Sequence, residues 1–211
     1  MKYNHIICHY DEIALKGKNR KYFEKKLVEN IKLALKRANI NFDSISNLSG
    51  RILINLSNDT YKEEEVKFAL SKVFGVVNFS FTLESSRGLE EIKSLSLEML
   101  KDKHFKTFRI SATRSDKSFE FTSQEVNEKV GEYILDNLEK KVDLTNPDET
   151  VYIEITKDSA YIYLEKHFGY GGLPVGTGGR ALSLMSGGID SPVASFMIAK
   201  RGVKVDYIHF H

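Results

Sequence analysis

Ala181-Leu-Ser-Leu-Met185-Ser186-Gly187-Gly188-Ile189-Asp190-Ser191-Pro192-Val-Ala-Ser-Phe-Met-Ile-Ala-Lys200 decides how the C-terminal part of this 211-residue chain folds. An apolar run of strand length, 181–185, meets a Ser/Gly/Asp turn, and a helix-forming stretch follows. A strand that feeds a glycine turn into a helix start offers unpaired N–H groups and the positive end of the helix dipole to an anion, and glycine lets the backbone approach closely. Ser186 and Ser191 add hydroxyl donors, Gly187 and Gly188 add bare amides, and Asp190 suits orienting the loop or holding Mg²⁺. An ordinary strand–turn–helix explains the same residues, with Asp190 or Ser191 as N-cap and Pro192 at the first helical position. The two roles are compatible.

No Gly-x-x-x-x-Gly-Lys-Ser/Thr run occurs, which excludes a Walker loop. Gly176-Thr-Gly178-Gly-Arg-Ala181 fits a Gly-x-Gly-x-x-Ala string, yet it precedes the strand, and the dinucleotide fingerprint must follow one. Ser186 to Ser191 instead resembles the signature of the ATP-pyrophosphatase (PP-loop) family. That resemblance implies cleavage of ATP between its α- and β-phosphates, AMP left on the substrate, and the loop around the pyrophosphate, with Mg²⁺ accompanying ATP. Ligands of open α/β sheets sit at the carboxyl ends of the strands. Those ends are Leu184-Met185 and, after a strand at 203–208, His209-Phe210. Backbone groups there suit the adenine edge, with Met185 and Phe210 against its faces. For His209 and His211 a plain strand terminus is an equal reading. One strand after the loop the sequence ends at His211, so a two-strand, one-helix start of a nucleotide domain is expected not to catalyse by itself.

The chain has room for one to three domains. No apolar run approaches the roughly 20 residues of a membrane span, and the start, Met-Lys-Tyr-Asn-His, lacks a signal-peptide core, so a cytoplasmic protein with no membrane partner is expected. A single cysteine, Cys8, excludes an internal disulfide framework and a cysteine zinc site, and it reads as a small buried hydrophobe. The formal net charge of +2 conceals a division. Residues 1–81 carry 14 Lys/Arg against 9 Asp/Glu, or +5, whereas residues 82–172 carry 13 against 18, or −5. Nine basic residues between Lys16 and Arg37 face only Glu24 and Glu29, a footprint suited equally to nucleic acid and to a solvated helix face.

Upstream of the loop the fold class is α+β. A strand at 5–10, a helix at 19–38 with Phe23, Leu27, Ile31 and Leu35 in one stripe, strands at 41–46 and 51–57 around Asn47-Leu48-Ser49-Gly50, a helix at 61–74 closed by Gly75, and a strand at 76–83 spell βαββαβ, a ferredoxin-like order. A second block follows with a helix at 89–102, a strand at 107–114, a helix at 122–140 opened by a Thr122/Glu125 capping box, and a hairpin, 151–156 with 160–165. Gly169 to Gly179 holds six glycines in eleven residues and reads as a linker or mobile loop.

Three stretches in this order resemble the tRNA 4-thiouridine synthetases: Glu12-Ile-Ala-Leu-Lys-Gly-Lys-Asn-Arg20; Phe108-Arg-Ile-Ser-Ala-Thr-Arg-Ser-Asp-Lys117 with the Thr122 helix; and Gly172 through Ser191. The resemblance implies a ferredoxin-like N-terminal domain (1–81), a THUMP RNA-binding domain (82–172) and the first β-α-β of a PP-loop domain (173–211), an α/β unit. It implies ATP-dependent adenylation of a tRNA uridine, replacement of the C4 oxygen by persulfide sulfur, and a link to thiamine thiazole synthesis. The implied partners are the acceptor region and 3′ end of tRNA, a cysteine desulfurase as sulfur donor, and a second copy in a homodimer. ATP contacts fall on Leu184, Met185, Ser186, Gly187, Gly188, Asp190, Ser191, His209 and Phe210, and RNA contacts on Lys16, Lys18, Arg20, Arg109, Arg114 and Lys117. Two departures stand out: His9-Tyr10-Asp11 replaces the family's Arg-Tyr-Gly, and Thr113 replaces a frequent cation. The alternatives are a non-catalytic THUMP-type tRNA-binding module and a PP-loop ligase that does not use RNA.

Overall fold

The computed structural model describes residues 3–48, 50–57 and 61–210. It divides into two compact bodies, residues 6–79 with 166–211 and residues 1–5 with 80–165. Ser49 of the expected turn and His211 lie outside the described residues.

In the first body β1 (His5–His9) leads through a 3-10 segment (Glu12–Asn19) into α1 (Arg20–Arg37). The hairpin β2 (Phe42–Leu48) and β3 (Arg51–Leu56), then α2 (Glu63–Ser71) and β4 (Asn78–Ser85), complete the unit. Strand order β2-β3-β1-β4 is that of a βαββαβ ferredoxin-like sheet. Leu27, Ile31 and Leu35 of α1 are fully buried with Ile6, Ile7, Ile52, Ile54 and Leu70, each such side chain contributing about 1.5–3 kcal/mol. Phe23, expected in that stripe, is only half-buried, and Glu24 takes the interior place instead. Four-residue steps turn about 40° past a full helical turn each, so a stripe aligned on Ile31 has drifted off the core by Phe23. Cys8 is fully buried, and burial pushes its thiol pKa up, against thiolate chemistry.

The second body takes the later half of β4, then α3 (Leu89–Leu100), β5 (Thr107–Arg114), α4 (Ser123–Asn137), β6 (Lys141–Val142), β7 (Glu149–Ile155) and β8 (Ala160–Tyr163). Strands lie in the order β4-β8-β7-β5-β6, with β5 parallel to both β6 and β7. Val126, Val130 and Ile134 of α4 are fully buried among Ile92, Phe108, Val151, Ile153 and Ile162. The capping box forms, Glu125 N–H donating to Thr122 Oγ1 (3.2 Å) and Thr122 N–H to Glu125 Oε2 (2.7 Å), an arrangement worth about 1 kcal/mol. The helix stops at Asn137, short of the expected Lys140, because Leu138 turns extended and Lys141 pairs with Thr107 as the edge strand β6.

The chain closes in the first body with β9 (His167–Phe168) on β4, then β10 (Arg180–Met185), α5 (Asp190–Lys200) and β11 (Lys204–His209). β11 runs parallel to β10, with Arg180 opposite Lys204 and Met185 opposite His209.

His5, in the second body, lies 3.4 Å from Glu84, and its pKa is lowered because burial outweighs that carboxylate's pull. The unfolded chain therefore takes up the proton first as pH falls below about 6.5. Stability of this body is expected to be full above that pH and to decline as pH drops from there toward the depressed folded pKa. His5→Gln should flatten this part of the curve in urea titrations between pH 7.5 and 5.

Candidate functional site

The glycine-rich stretch 169–179 was expected to be a linker, yet its backbone is bonded almost throughout. Gly169 and Gly171 donate to Val77 O and Val76 O (2.9 and 2.8 Å), Leu173 to Lys200 O (2.9 Å), and Gly176 and Gly178 to Gly202 O (2.7 and 2.9 Å). At Gly172, φ is +78° and a Cβ would collide with the Lys200 carbonyl, so glycine is required there. The stretch is a strap that ties the end of α5 to β4 and the α2–β4 turn. Its hold is reinforced by Phe196, whose ring is 5.0 Å from both Phe74 and Tyr170, and by Arg201 Nη1 bonded to both Glu12 carboxylate oxygens (2.9 and 2.8 Å).

On this platform β10 delivers residues 186–189 to the first turn of α5. Ser186 N–H donates to Ser191 Oγ (3.0 Å), the two serine hydroxyls are 3.1 Å apart, and Gly188 N–H donates to Ser186 Oγ (3.2 Å). The loop is thus shaped by its own hydroxyls and lies exposed, with open space where a Gly187 side chain would stand. Ile189 is the N-cap, without a side-chain bond, one residue before Asp190 and two before Ser191, the caps considered above, so Asp190 is the first helical residue and Pro192 the third. Ser191 is held elsewhere, its hydroxyl taken by Ser186. His209 Nδ1 is 2.8 Å from Met185 O, joining the carboxyl ends of the two strands, and Leu184 and Phe210 are exposed beside them. The nine residues expected at a nucleotide site therefore collect at one end of the β10–β11 pair.

Of the expected RNA contacts, three lie in each body. Lys16 and Lys18 flank Gly17, whose φ of +51° breaks the 3-10 segment. Lys18 is exposed, and Lys16 Nζ lies 5.1 Å from the Phe23 ring centre. Arg20 is engaged: Nε donates to Glu24 (2.8 Å) and Nη2 to the Tyr10 hydroxyl (2.8 Å). Glu24 also accepts from Tyr10 and Asn47, and burial followed by that carboxylate pushes the Tyr10 pKa up to about 12. In the second body Arg109 bonds Thr150 Oγ1 (3.1 Å) and Leu144 O (3.2 Å), and Arg114 Nη1 clamps Phe119 O and Phe121 O (3.2 Å each). That clamp fixes the turn carrying the exposed Lys117. Arg87, which the sequence reading missed, pins the same turn through Asp116 at 3.1 Å. The Arg20/Glu24 spacing of i, i+4 was a legible signal for an ion pair, whereas nothing local marks Arg87 or the Arg201–Glu12 pair.

The fold defines a class: a ferredoxin-like unit and a second α+β unit joined to a β-α-β segment with a serine- and glycine-rich loop at the head of its helix. Known families match in the same order, the ThiI ferredoxin-like domain over residues 5–80, the THUMP domain over 86–165 and the thiamine biosynthesis protein (ThiI) over 176–211. The chain belongs to the tRNA sulfurtransferase (ThiI) family. It is 42% identical over 210 residues to the probable tRNA sulfurtransferase of Moorella thermoacetica, covering 99% of this chain and 53% of that protein. It superimposes on PH1313 from Pyrococcus horikoshii with a TM-score of 0.88 at 38% identity, over 98% of this chain and 68% of that one. A 4-thiouridine synthetase, whose crystal structure is an RNA complex with bound ATP, matches with a TM-score of 0.78 at 36% identity, over 100% of this chain and 53% of that one. The chain spans about half the length of the curated relatives it matches. Among the described residues no helix is long and apolar enough to cross a membrane.

Phe196→Ala is expected to raise amide exchange across residues 190–200 by about tenfold or more, as a packed aromatic contact is lost, while exchange in β5 stays unchanged.

Proposed function

We propose that this chain is the tRNA-reading and ATP-loop part of an ATP-dependent tRNA sulfurtransferase, with domains at 1–81, 82–172 and 173–211. In this reading ATP adenylates the C4 oxygen of a tRNA uridine with release of pyrophosphate. The outer sulfur of a persulfide displaces AMP to form a C4–S–S link, and a second thiol cleaves that S–S bond, becoming a disulfide with the inner sulfur, to leave 4-thiouridine. A carbonyl oxygen is a poor leaving group until it becomes a phosphate ester, and a deprotonated sulfur is a strong nucleophile. The observation that carries the reading is the self-shaped loop at the head of α5, joined in one chain to units matching the ThiI ferredoxin-like and THUMP families.

The loop's chemistry fits a triphosphate. The amide of Gly187 and the hydroxyls of Ser186 and Ser191 are a neutral donor set at a helix N-terminus, suited to the pyrophosphate, and the Gly188 amide joins them if it exchanges its bond to Ser186 Oγ for a phosphate oxygen. Leu184, Met185, His209 and Phe210 border the place for the adenine. Asp190, at the first position of the helix, is the carboxylate available to a Mg²⁺ aquo ion. When bound there, such an ion would supply positive charge to offset that of the phosphates.

RNA is held by cations that meet phosphates of an A-form stem and its unpaired end. Lys16, Lys18 and Lys117 act as point charges. Arg20 uses part of its guanidinium on the Glu24 and Tyr10 side chains, and Arg109 and Arg114 use part of theirs on backbone carbonyls, which leaves each with further N–H groups for phosphate. A cysteine desulfurase as persulfide donor, a homodimer, a cytoplasmic location and a role in thiamine thiazole synthesis complete the proposal. The support for these is the family resemblance.

The test is binding of the chain to an intact tRNA and to the same tRNA without its single-stranded 3′ end, across a salt series. Affinity is expected to drop on removal of the end. Lys18→Glu with Lys117→Glu should weaken binding and lower the slope of log K against log salt by about 2, one per lost phosphate contact. Equal affinity for both RNAs, with no change in slope, would contradict the acceptor-end reading.

A further inference from the structure

Two hollows lie in the first body: residues of α2 line one, and Lys72, the C-cap residue of that helix, lines the other. The shallower one, about 610 Å³, is lined by Phe68 and Phe168 together with Lys67, Lys166 and His167. Both phenyl rings stand out into solvent, Phe68 63% and Phe168 75% exposed. That is unusual for rings whose transfer to a partner is worth several kcal/mol, and a pair of them at one hollow suggests a surface meant to be covered. Lys72 Nζ lies 3.3 Å from the Phe68 ring centre, so a cation already sits on one π-face. From there Lys72 borders the second hollow, about 450 Å³, whose other cations are Lys26, Arg37 and Lys204 and whose floor is Leu33, Val73 and Val175.

Charge decides the occupant. The glutamates near the aromatic hollow are answered locally: Glu64 and Glu63 by Lys67, and Glu65 by Lys62. Lys26 is paired with Glu29. Arg37, Lys72 and Lys204 are exposed, and among the described residues no carboxylate lines the deeper hollow. Two helices, α1 and α2, end at this wall, and their terminal carbonyls oppose an anion. Arg37 and Lys72 stand at those ends and offset that field, and Lys204 adds to the excess. Exposed flat rings beside a run of cations over an apolar floor are the elements that hold unpaired nucleotides, with bases on the rings and phosphates on the cations. The track is separate from the phosphate loop. Lys204 pairs with Arg180 at the start of β10, and the loop begins after Met185, about 17 Å away at strand rise.

We propose that this track binds an unpaired RNA segment, with bases stacked on Phe68 and Phe168 and phosphates passing Lys72 toward Arg37 and Lys204. The proposal rests on the RNA-binding reading above and locates where single-stranded nucleotides, as opposed to a paired stem, are held. The strap supplies Val175 and Gly176 to the deeper wall. An RNA strand lying there therefore touches both the ferredoxin-like unit and the segment that carries the phosphate loop.

The experiment is fluorescence anisotropy of the chain with a labelled single-stranded RNA of about six nucleotides and, separately, with a fully paired RNA stem and an intact tRNA. Phe68→Ala with Phe168→Ala is expected to weaken the single strand about tenfold or more and to leave the stem within twofold. Phe→Leu at both positions, which keeps apolar bulk without the π-face, should fall between and guards against a folding artefact. Arg37→Glu with Lys204→Glu should weaken the strand and flatten its salt dependence. Unchanged strand binding in the alanine pair, or an equal loss for strand and stem, would overturn the proposal while tRNA binding persists. Failure of the unaltered chain to bind any of the three RNAs would overturn the RNA-binding reading and this proposal together.

Discussion

The close approach of Gly172 to the Lys200 carbonyl is the contact on which the arrangement of the β10–α5–β11 segment depends. Only a residue without Cβ, at a positive φ, lets the strap pass so near the end of α5. Once it has passed, Leu173 N–H bonds Lys200 O, Gly176 and Gly178 bond Gly202 O, and Arg201 reaches Glu12. Phe196 then closes against Phe74 and Tyr170. An exposed ion pair alone would add little, about 0–1 kcal/mol. The aromatic group and the strap's backbone bonds supply the rigidity, and the Arg201–Glu12 pair sets direction. A 186–191 loop hung on a flexible linker could not be kept at a fixed place relative to the ferredoxin-like unit.

Buried polar groups organise the same unit from within. Glu24 sits in an apolar stripe and is tolerable because Arg20, Tyr10 and Asn47 all satisfy it. That network fixes the start of α1 relative to the β2–β3 turn, and the start of α1 carries the Lys16–Lys18 segment. In the second body Arg114 and Arg87 do the equivalent for the turn bearing Lys117. In both places arginines use their hydrogen bonds inside the fold, on side chains at Arg20 and on backbone carbonyls at Arg114, while Lys18 and Lys117 stay exposed, a division that follows from the planar fork of one and the flexible point charge of the other.

Much of this was legible in the sequence. The βαββαβ order, the capping box at Thr122, the buried faces of α4 and β7, and the strand–loop–helix around Ser186 follow from period, turn chemistry and glycine placement. What was not legible depends on partners distant in sequence. Phe23 and Glu24 exchanged roles because the four-residue stripe drifts around the helix. α4 ended early because Lys141 was captured by β5, and two-residue strands such as β6 and β9 have too little pattern to be seen. The strap was misread because glycine composition looks the same in a flexible linker and in a segment that must pass close to another backbone. The cations around Lys72 come from three separated elements, which no local pattern connects.

The most direct test of the account is 4-thiouridine formation by the full-length protein, given ATP, tRNA and a persulfide donor, in Ser191→Ala and Asp190→Ala variants alongside tRNA affinity. The account predicts that thiolation falls by about 100-fold or more, the scale of losing a group that acts on transition-state charge, while tRNA affinity stays within twofold. Full thiolation by the Asp190→Ala variant, or parallel loss of tRNA binding and thiolation, would contradict the assignment of the 186–191 loop to ATP and of the upstream units to RNA.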